Sequence, residues 1–214
     1  MATAPPSPVV PQNRLLRALS PTTGPQVLLT LHPVALRLKE TLITPDAPIT
    51  AVYFPLDAVV SVVSTFADGS MREVATIGHE GLVGVPQFLQ AGSMPFTAFV
   101  QVPGAALQME AGRFDQTVQT VGSDFAAVLA RYTQAWCTQL SQHAVCHGYH
   151  RVVQRCARWL LQTHDESAKT WGEFRHQRAI QNHAMAGKEL PRLGITGDRR
   201  IPHIDDSVLD IGVT

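Results

Sequence analysis

Side chains that can bind a metal are concentrated in one stretch of the second half of the chain. They are His143, Cys146, His147 and His150. Their spacing of three, four and seven residues places them along one face of a helix. Imidazole nitrogens and thiolates are ligands of zinc and of redox metals. One helix rarely supplies a full coordination sphere. We therefore predict that these four residues lie on the helix surface and at an interface and bind no metal. Stoichiometric metal in the purified protein would reverse this interpretation.

A short basic stripe comes directly after this cluster. Arg151, Arg155 and Arg158 recur at steps of four and three residues along the next predicted helix. The stripe could contact phosphate groups, or it could be a solvated face that pairs with nearby acids. The chain contains no nucleophile elbow, phosphate-binding loop, zinc-protease pair or acid–base dyad. We therefore predict that the protein is not an enzyme and has no catalytic residues.

The overall charge points to no particular partner. Seventeen Lys and Arg balance seventeen Asp and Glu, and the isoelectric point is about 7.1. Contact with DNA would need a local basic face, and no membrane partner is expected. Three cysteines are too few for a disulfide framework, and no signal peptide or apolar run of about 20 residues is visible. We expect a cytoplasmic protein.

The elements that must position these side chains begin after a flexible stretch, residues 1–12. Asn13 is a candidate N-cap for a short helix that stops at Ser20-Pro21. From Val27 to Met109 the chain consists of short β-branched runs, and Asp68-Gly69 is typical of a hairpin turn. The predicted strands are Val27–Thr30, Val34–Leu38, Thr41–Ile43, Ala51–Pro55, Val59–Phe66, Glu73–Ile77, Thr97–Val102 and Ala105–Met109.

Helical spacing of apolar residues begins at Ala111. It predicts one long helix over residues 111–148, a break at Gly148 and a second helix over Tyr149–His164. The apolar face of the long helix could pair with a second copy of the chain or pack against the chain's own β-domain. We expect a homodimer formed through this face. Its members are Phe114, Val118, Val121, Phe125, Val128, Tyr132 and Trp136.

Several motifs in order resemble one protein family. They are Leu31-His32-Pro33-Val34-Ala35-Leu36, Val52-Tyr53-Phe54-Pro55, Glu73-Val74-Ala75-Thr76-Ile77-Gly78, Glu80-Gly81-Leu82-Val83-Gly84 and Arg155-Cys156-Ala157-Arg158-Trp159-Leu160-Leu161. Residues 13–166 thereby resemble Crp/Fnr-type bacterial transcription regulators. The resemblance implies an α+β protein: a cyclic-nucleotide-binding-like β-roll of jelly-roll type (13–110), a dimerisation helix (111–148) and the start of a DNA-binding domain (149–164).

The resemblance also implies an effector pocket. Its expected residues are Gly78, Glu80, Gly84, Val85, Phe96, Thr97 and Ala98. Nucleotide-binding members carry Gly-Glu and Arg-Ser-Ala, where Glu binds the ribose and Arg the cyclic phosphate. Here the matching positions are Gly84-Val85 and Phe96-Thr97-Ala98. Loss of a charge-assisted contact costs a few kcal/mol, so we predict no cyclic nucleotide or other cofactor and an unidentified small effector.

The segment 165–214 departs from the family pattern. It shows no helix-turn-helix signature, and in Glu166–Thr214 seven Lys and Arg balance seven Asp and Glu. A hypothesis is that this tail is translated from a shifted reading frame. The residues that would bind DNA therefore stay unknown, and DNA is a possible but doubtful partner. We predict a transcriptional regulator; the alternative is a sensor or interaction module that forms dimers with related regulators, or an inactive remnant.

Overall fold

The computed structural model describes residues 12–167, in which the chain forms two antiparallel β-sheets. One sheet has the strand order β1-β7-β3 and the other β2-β6-β4-β5. The two sheets pack face to face as a jelly roll. The strands are β1 (His32–Leu36), β2 (Thr41–Ile43), β3 (Ala51–Pro55), β4 (Val59–Thr65), β5 (Met71–Ile77), β6 (Thr97–Val102) and β7 (Gly104–Glu110).

Helices precede, interrupt and succeed the roll. They are α1 (Arg14–Arg17), α2 (Thr23–Leu28), α3 (Val85–Phe88), α4 (Ala111–Thr120), α5 (Ser123–Tyr149) and α6 (Val152–Ser167). None of the helices within residues 12–167 combines the length and the hydropathy needed to cross a bilayer. Helices α5 and α6 meet the four-stranded sheet, and the candidate site lies at this junction.

Strand β4 is covered on both faces. Val60 and Val62 point into the core between the sheets, whereas Ser61 and Val63 point to the outer side. All four side chains are at most 4% exposed. Successive residues of a strand face opposite sides, so a strand without polar alternation is expected where both faces are covered. The outer cover of β4 is α6.

Two clusters of buried side chains hold the domain together. The first lies between the two sheets and includes Ile77, Val83 and Met94. The second lies between the three-stranded sheet and the helices, where Phe114 of α4 meets Phe125 of α5 edge to face at 6.0 Å. Such an aromatic pair adds about 1 kcal/mol beyond its burial. The helices are therefore an integral layer of the domain.

Most of the predicted β-domain is confirmed. Three strands match their predicted bounds, and the β4–β5 hairpin turns at Asp68-Gly69, where Gly69 has a φ of 78°. The side chain of Asn13 caps α1 by accepting from the main-chain nitrogens of Leu15 and Leu16. The predicted strand Val27–Thr30 is wrong, because helix α2 occupies Thr23–Leu28. Pro25 lies in its first turn, where proline is tolerated, and Val27 is fully buried.

The single long helix over residues 111–148 is also wrong. It is divided into α4 and α5 at Gly122, whose φ of 102° and ψ of 178° suit glycine alone. The predicted break at Gly148 falls instead at His150, after α5 has continued to Tyr149. The next helix runs from Val152 to Ser167, three residues beyond its predicted end. The rest of the predicted tail, 168–214, and most of the predicted flexible start lie outside the described residues.

Candidate functional site

The position at which the resemblance places the effector pocket is nearly filled. We call it the family pocket; Gly84 and Val85 form its wall at the start of α3. The cavity that remains there measures about 10 Å³. That is about the volume needed to hold one water molecule. Its other walls include Val62, Ile77, Val83, Met94 and Trp136.

The missing anchors of the family pocket are replaced by apolar groups. Val85 stands where nucleotide-binding members carry the ribose-binding glutamate, and its side chain is 1% exposed. Phe96 packs against the core between the sheets, and Ala98 lies fully buried in β6 beside Thr97. Phe96, Thr97 and Ala98 do not line the cavity of the family pocket. The described residues that line the cavity are therefore apolar and enclose about 10 Å³.

Two other predicted pocket residues lie elsewhere. Gly78 and Glu80 come just after β5 and face α6 rather than Gly84. The carboxylate of Glu80 accepts a hydrogen bond of 2.9 Å from the main-chain nitrogen of Gly78. Burial raises the pKa of Glu80, although this hydrogen bond acts in the opposite direction. Of the seven predicted residues, only Gly84 and Val85 line this cavity, so the structure does not bring all seven together around it.

Helix α6 docks on the roll through Glu166. Its Oε1 accepts from the hydroxyl of Thr76 at 3.0 Å and from the amide of Gln162 at 2.7 Å. Its main-chain carbonyl accepts from the main-chain nitrogen of His79 at 3.1 Å and lies 2.8 Å from His79 Nδ1. Burial first, and then the nearby charge of Glu80, raise the pKa of Glu166 well above its ordinary value. We call this set of interactions the Glu166 contact.

The Glu166 contact depends on a glycine. A Cβ atom at Gly78 would clash with the carbonyl oxygen and the Cβ of Glu166. The side chain of Glu166 is only 6% exposed, so the last turn of α6 has little room to retreat while it stays docked. Gly78 therefore permits the close approach of the two backbones.

A larger cavity lies on the outer face of β4. We call it the α6 cavity; it measures about 160 Å³ and is enclosed by the β4–β5 hairpin, the end of α5 and α6. Three guanidinium groups and one carboxylate reach it, those of Arg72, Arg155, Arg158 and Glu73. The hydroxyl of Ser61 donates a hydrogen bond of 2.6 Å to Glu73. The remaining wall consists of Val63, Met71, Phe99, His143, Cys146, His147, Trp159 and Gln162.

The histidine and cysteine side chains singled out by their spacing take separate roles. His143 lies 3.2 Å from both the carbonyl oxygen of Val74 and the amide oxygen of Gln162. Cys146 accepts a hydrogen bond of 2.7 Å from the guanidinium of Arg158. His150 stacks edge to face on Tyr149. In residues 12–167, no three or more His, Cys, Asp or Glu side chains are grouped so as to hold a metal ion.

The basic stripe is divided between solvent and the α6 cavity. Arg155 and Arg158 line the cavity, whereas Arg151 is exposed at the start of α6. Nη1 of Arg155 lies 3.3 Å from Nδ1 of His147. Burial lowers the pKa of His147, and the charge of Arg155 adds to this effect. The stripe thus supplies the cavity with positive charge.

The face predicted to form the dimer is occupied inside the protomer. Phe114, Phe125 and Val128 are at most 3% exposed. Val118, Val121 and Tyr132 pack against the same helix-side cluster, and Trp136 packs against the cluster between the sheets. This outcome is the alternative in which the helix packs on its own β-domain. Dimerisation itself stays a prediction, and it would need the opposite face of α5.

The residues of the Glu166 contact were not found from the sequence. Thr76 and Glu166 are 90 positions apart, and Thr76 and Gln162 are 86 apart. No local sequence pattern marks Thr76, Gln162 or Glu166, because each is an ordinary polar residue of a strand or helix. The sequence likewise places Ser61 and Glu73 only in strands. Their outward direction on β4 and β5 is visible from alternation, but the helix that covers them is not.

Comparisons with known proteins agree with this architecture. Residues 33–121 match the family model of the cyclic nucleotide-binding domain. The c-di-GMP responsive global regulator CLP of Xanthomonas campestris is 16% identical, with a TM-score of 0.56 over 80% of this chain and 90% of that chain. A cyclic nucleotide-binding domain from Methylobacillus flagellatus is 11% identical, with a TM-score of 0.55 over 63% and 80%. The comparison with curated proteins found no match.

The fold is therefore a β-rich jelly-roll domain of the cyclic nucleotide-binding type with a long helix, α5, after it. Its structural neighbours include transcriptional regulators, such as CLP and the N-terminal domain of a regulator from Streptomyces coelicolor. The latter is 19% identical, with a TM-score of 0.48 over 63% of this chain and 94% of that chain.

Proposed function

We propose that the protein is a transcriptional regulator of the Crp/Fnr type that senses its signal at α6 instead of in the family pocket. The observation that carries this proposal is the Glu166 contact, which fixes α6 directly to the roll. The resemblance identifies the corresponding helix as the start of the DNA-binding domain. A signal that shifts the equilibrium between docked and released α6 would therefore reposition a DNA-binding domain attached to that helix.

The closed family pocket supports the same proposal. A cavity of about 10 Å³ has room for about one water molecule and is too small for an organic ligand. Opening it would require Trp136 of α5 and Met94 to move out of a packed core. Even then, no guanidinium or other cation among the described residues lines it. These two features support the proposal that the signal is not a cyclic nucleotide bound at this position.

The outer face of α5 supports the predicted dimer. Six small exposed residues and Gln134 recur along it with alternating steps of three and four, the spacing of the seam in a two-stranded coiled coil. Small side chains at such positions allow two helices to approach closely. These residues are Ala127, Ala130, Gln134, Cys137, Ser141, Ala144 and Gly148. A homodimer through this seam would carry two copies of α6 related by two-fold symmetry.

The test is fluorescence anisotropy of the full chain with fragmented genomic duplex DNA, from low to physiological salt. Saturable binding that weakens with salt and survives unlabelled competitor supports a DNA-binding regulator. The Gly78→Ala variant, in which the new Cβ opposes docking, should change that affinity, while Gly112→Ala should not. Gly112 is a fair control because a Cβ there meets no atom within 4 Å.

Absence of DNA binding even at low salt would reject the regulator proposal. The protein would then be a sensor and interaction module, the second function that the sequence leaves open. The proposal assigns no DNA-contacting residue, because residues 168–214 of the predicted tail 165–214 lie outside the described residues. The assay therefore uses the full chain.

A further inference from the structure

We infer that the α6 cavity is a binding site for a small organic anion, a carboxylate or phosphate carried on an aromatic or aliphatic body. The cavity is the junction of three elements, the β4–β5 hairpin, the end of α5 and α6. It lies on the opposite face of β4 from the family pocket, since Ser61 and Val63 line it whereas Val62 lines the other. The two sites therefore share a strand but no space.

The charge of the lining favours an anion. Guanidinium groups of Arg72, Arg155 and Arg158 face one carboxylate, that of Glu73. Guanidinium groups bind carboxylates and phosphates through paired hydrogen bonds, and each such bond is stronger than a neutral one. Two of the three arginines come from α6 and one from the hairpin, so a bound anion would bridge the helix and the roll.

The hydrogen bonds of the two α6 arginines leave room for a ligand. Arg158 donates to the thiol of Cys146, and Arg155 approaches the imidazole and the carbonyl oxygen of His147. The Nε of Arg155 is buried and has no hydrogen-bond partner among the described residues. A buried donor without an acceptor is unfavourable, and an anionic oxygen would supply the missing acceptor.

The positive charges of the cavity also affect the pKa of His147. Burial and the charges of Arg155 and Arg158 lower its pKa. An anion in the cavity would offset those charges and raise that pKa again. His147 is therefore a reporter that lies in the cavity wall and responds to the charge of the ligand.

Size and the apolar wall limit the ligand further. About 160 Å³ is roughly ten times the ~10–15 Å³ that one water molecule requires, which suits a single ring with one acidic group. Phe99, Val63 and Trp159 supply apolar surface for that ring. A nucleotide, with its base, sugar and phosphate, is too large for the cavity as it stands.

The regulatory meaning of this site rests on the proposed function, whereas ligand binding does not. An anion held by Arg72 from the hairpin and by Arg155 and Arg158 from α6 would hold the helix in its docked position. It would act together with the Glu166 contact at the far end of the same helix. The ligand would thus stabilise the docked state.

The test is calorimetric titration of the full chain with phenyl phosphate and, separately, with phenylacetate. We expect saturable binding of at least one of them, weakened at least tenfold in the Arg155→Gln and Arg158→Gln variants. Arg151→Gln should retain binding because this exposed arginine is near the same helix but outside the cavity. Inorganic phosphate tests the charge alone and benzyl alcohol the ring alone, and both should bind more weakly.

A second readout keeps the inference testable if a variant folds poorly. In the unaltered protein, the His147 imidazole signals should titrate at higher pH when the ligand is bound. No binding of either aromatic anion, or binding that survives both arginine substitutions, would overturn the site. Binding without any change in DNA affinity would retain the site and overturn its regulatory role, which separates this failure from that of the proposed function.

Discussion

The two cavities on either side of β4 differ in every property that decides ligand binding. The family pocket retains about 10 Å³ and is apolar, whereas the α6 cavity retains about 160 Å³ and carries three arginines. The alternation of β4 directs Val62 into the first and Ser61 into the second. The fold of a cyclic nucleotide-binding domain therefore does not by itself place a ligand in the family pocket.

The two cavities also relate differently to the helices. Trp136 of α5 closes the family pocket as part of the packed core. Arg155 and Arg158 of α6 line the other cavity and give it positive charge. The helix that the resemblance connects to DNA binding is thus the one that carries the candidate anion ligands. Four changes to the protein or its conditions test this contrast, in order of decreasing expected effect.

Substitution of Trp136 should have the greatest effect. Trp136→Ala would remove the side chain that closes the family pocket and lower the free energy of unfolding by about 3 kcal/mol, because a cavity replaces the part of the ring that packs on the core. Phe66→Ala, at a side chain that is 52% exposed, should change it by less than about 0.5 kcal/mol. Chemical denaturation measures both. Cyclic AMP should still fail to bind the enlarged pocket; micromolar binding would show that space alone had been missing.

Substitution of Gly78 should release α6 without unfolding the roll. Gly78→Ala introduces overlap with the backbone of Glu166, and overpacking of this kind costs about 1–3 kcal/mol. We expect faster hydrogen exchange in α6 and unchanged exchange in β3 and β7. Gly112→Ala is the control, since it adds a methyl group in open space. Equal protection of α6 in both variants would contradict the role given to the Glu166 contact.

The Glu166 contact should weaken as the pH rises. The pKa of Glu166 is raised in the docked state by burial and by Glu80, so that state binds the proton more tightly than the released state. Docking is therefore most favourable below the ordinary glutamate pKa of about 4.3 and becomes less so as the pH rises through the raised value.

Hydrogen exchange of α6, corrected for the intrinsic effect of pH, measures this dependence from about pH 5 to pH 8. The charged and polar groups that face Glu166 are Glu80, Glu73, His79, Thr76 and Gln162. Glu166→Gln should reduce the dependence of α6 docking on pH. The dependence that remains should have the same sign, because burial also raises the pKa of Glu80. A docking equilibrium that strengthens with pH would show that protonation of Glu166 does not favour the docked helix.

The least pronounced effect concerns the outer seam of α5. Cys137 is exposed at a seam position, so a two-fold pair of α5 helices would bring two Cys137 thiols together. Mild oxidation should therefore yield a covalent dimer on non-reducing gels. Cys137→Ser should abolish the covalent dimer. Cys146→Ser should not, because the Cys146 thiol is hydrogen-bonded to Arg158 in the wall of the α6 cavity. A dimer that persists without Cys137 would place the interface elsewhere.

The sequence predicts the β-roll well because strands and turns have local signals. Asp68-Gly69 specifies its turn, and β-branched and aromatic residues specify β3 and β6. The apolar spacing from Phe114 to Trp136 shows that this face is buried, but not whether the chain itself or a second copy buries it. That choice depends on packing with Val52 and Phe54 of the roll, which local pattern cannot show.

The candidate sites were only partly predictable for the same reason. The loss of both charged anchors, at Val85 and in the segment Phe96–Ala98, was visible because the family pattern is a short motif. The α6 cavity joins residues more than 80 positions apart, such as Arg72 and Arg158. The spacing of Arg155 and Arg158 indicated a common face, but only the tertiary fold places that face against the hairpin.

Calorimetric titration of cyclic AMP into the Arg155→Gln/Arg158→Gln double variant decides whether the family pocket can receive a signal. This variant disables the α6 cavity and leaves every residue that lines the family pocket intact. We expect no saturable binding at micromolar concentrations, because the family pocket is filled and carries no cation among the described residues. Micromolar binding of cyclic AMP to this variant would contradict the closed pocket and return the signal to it.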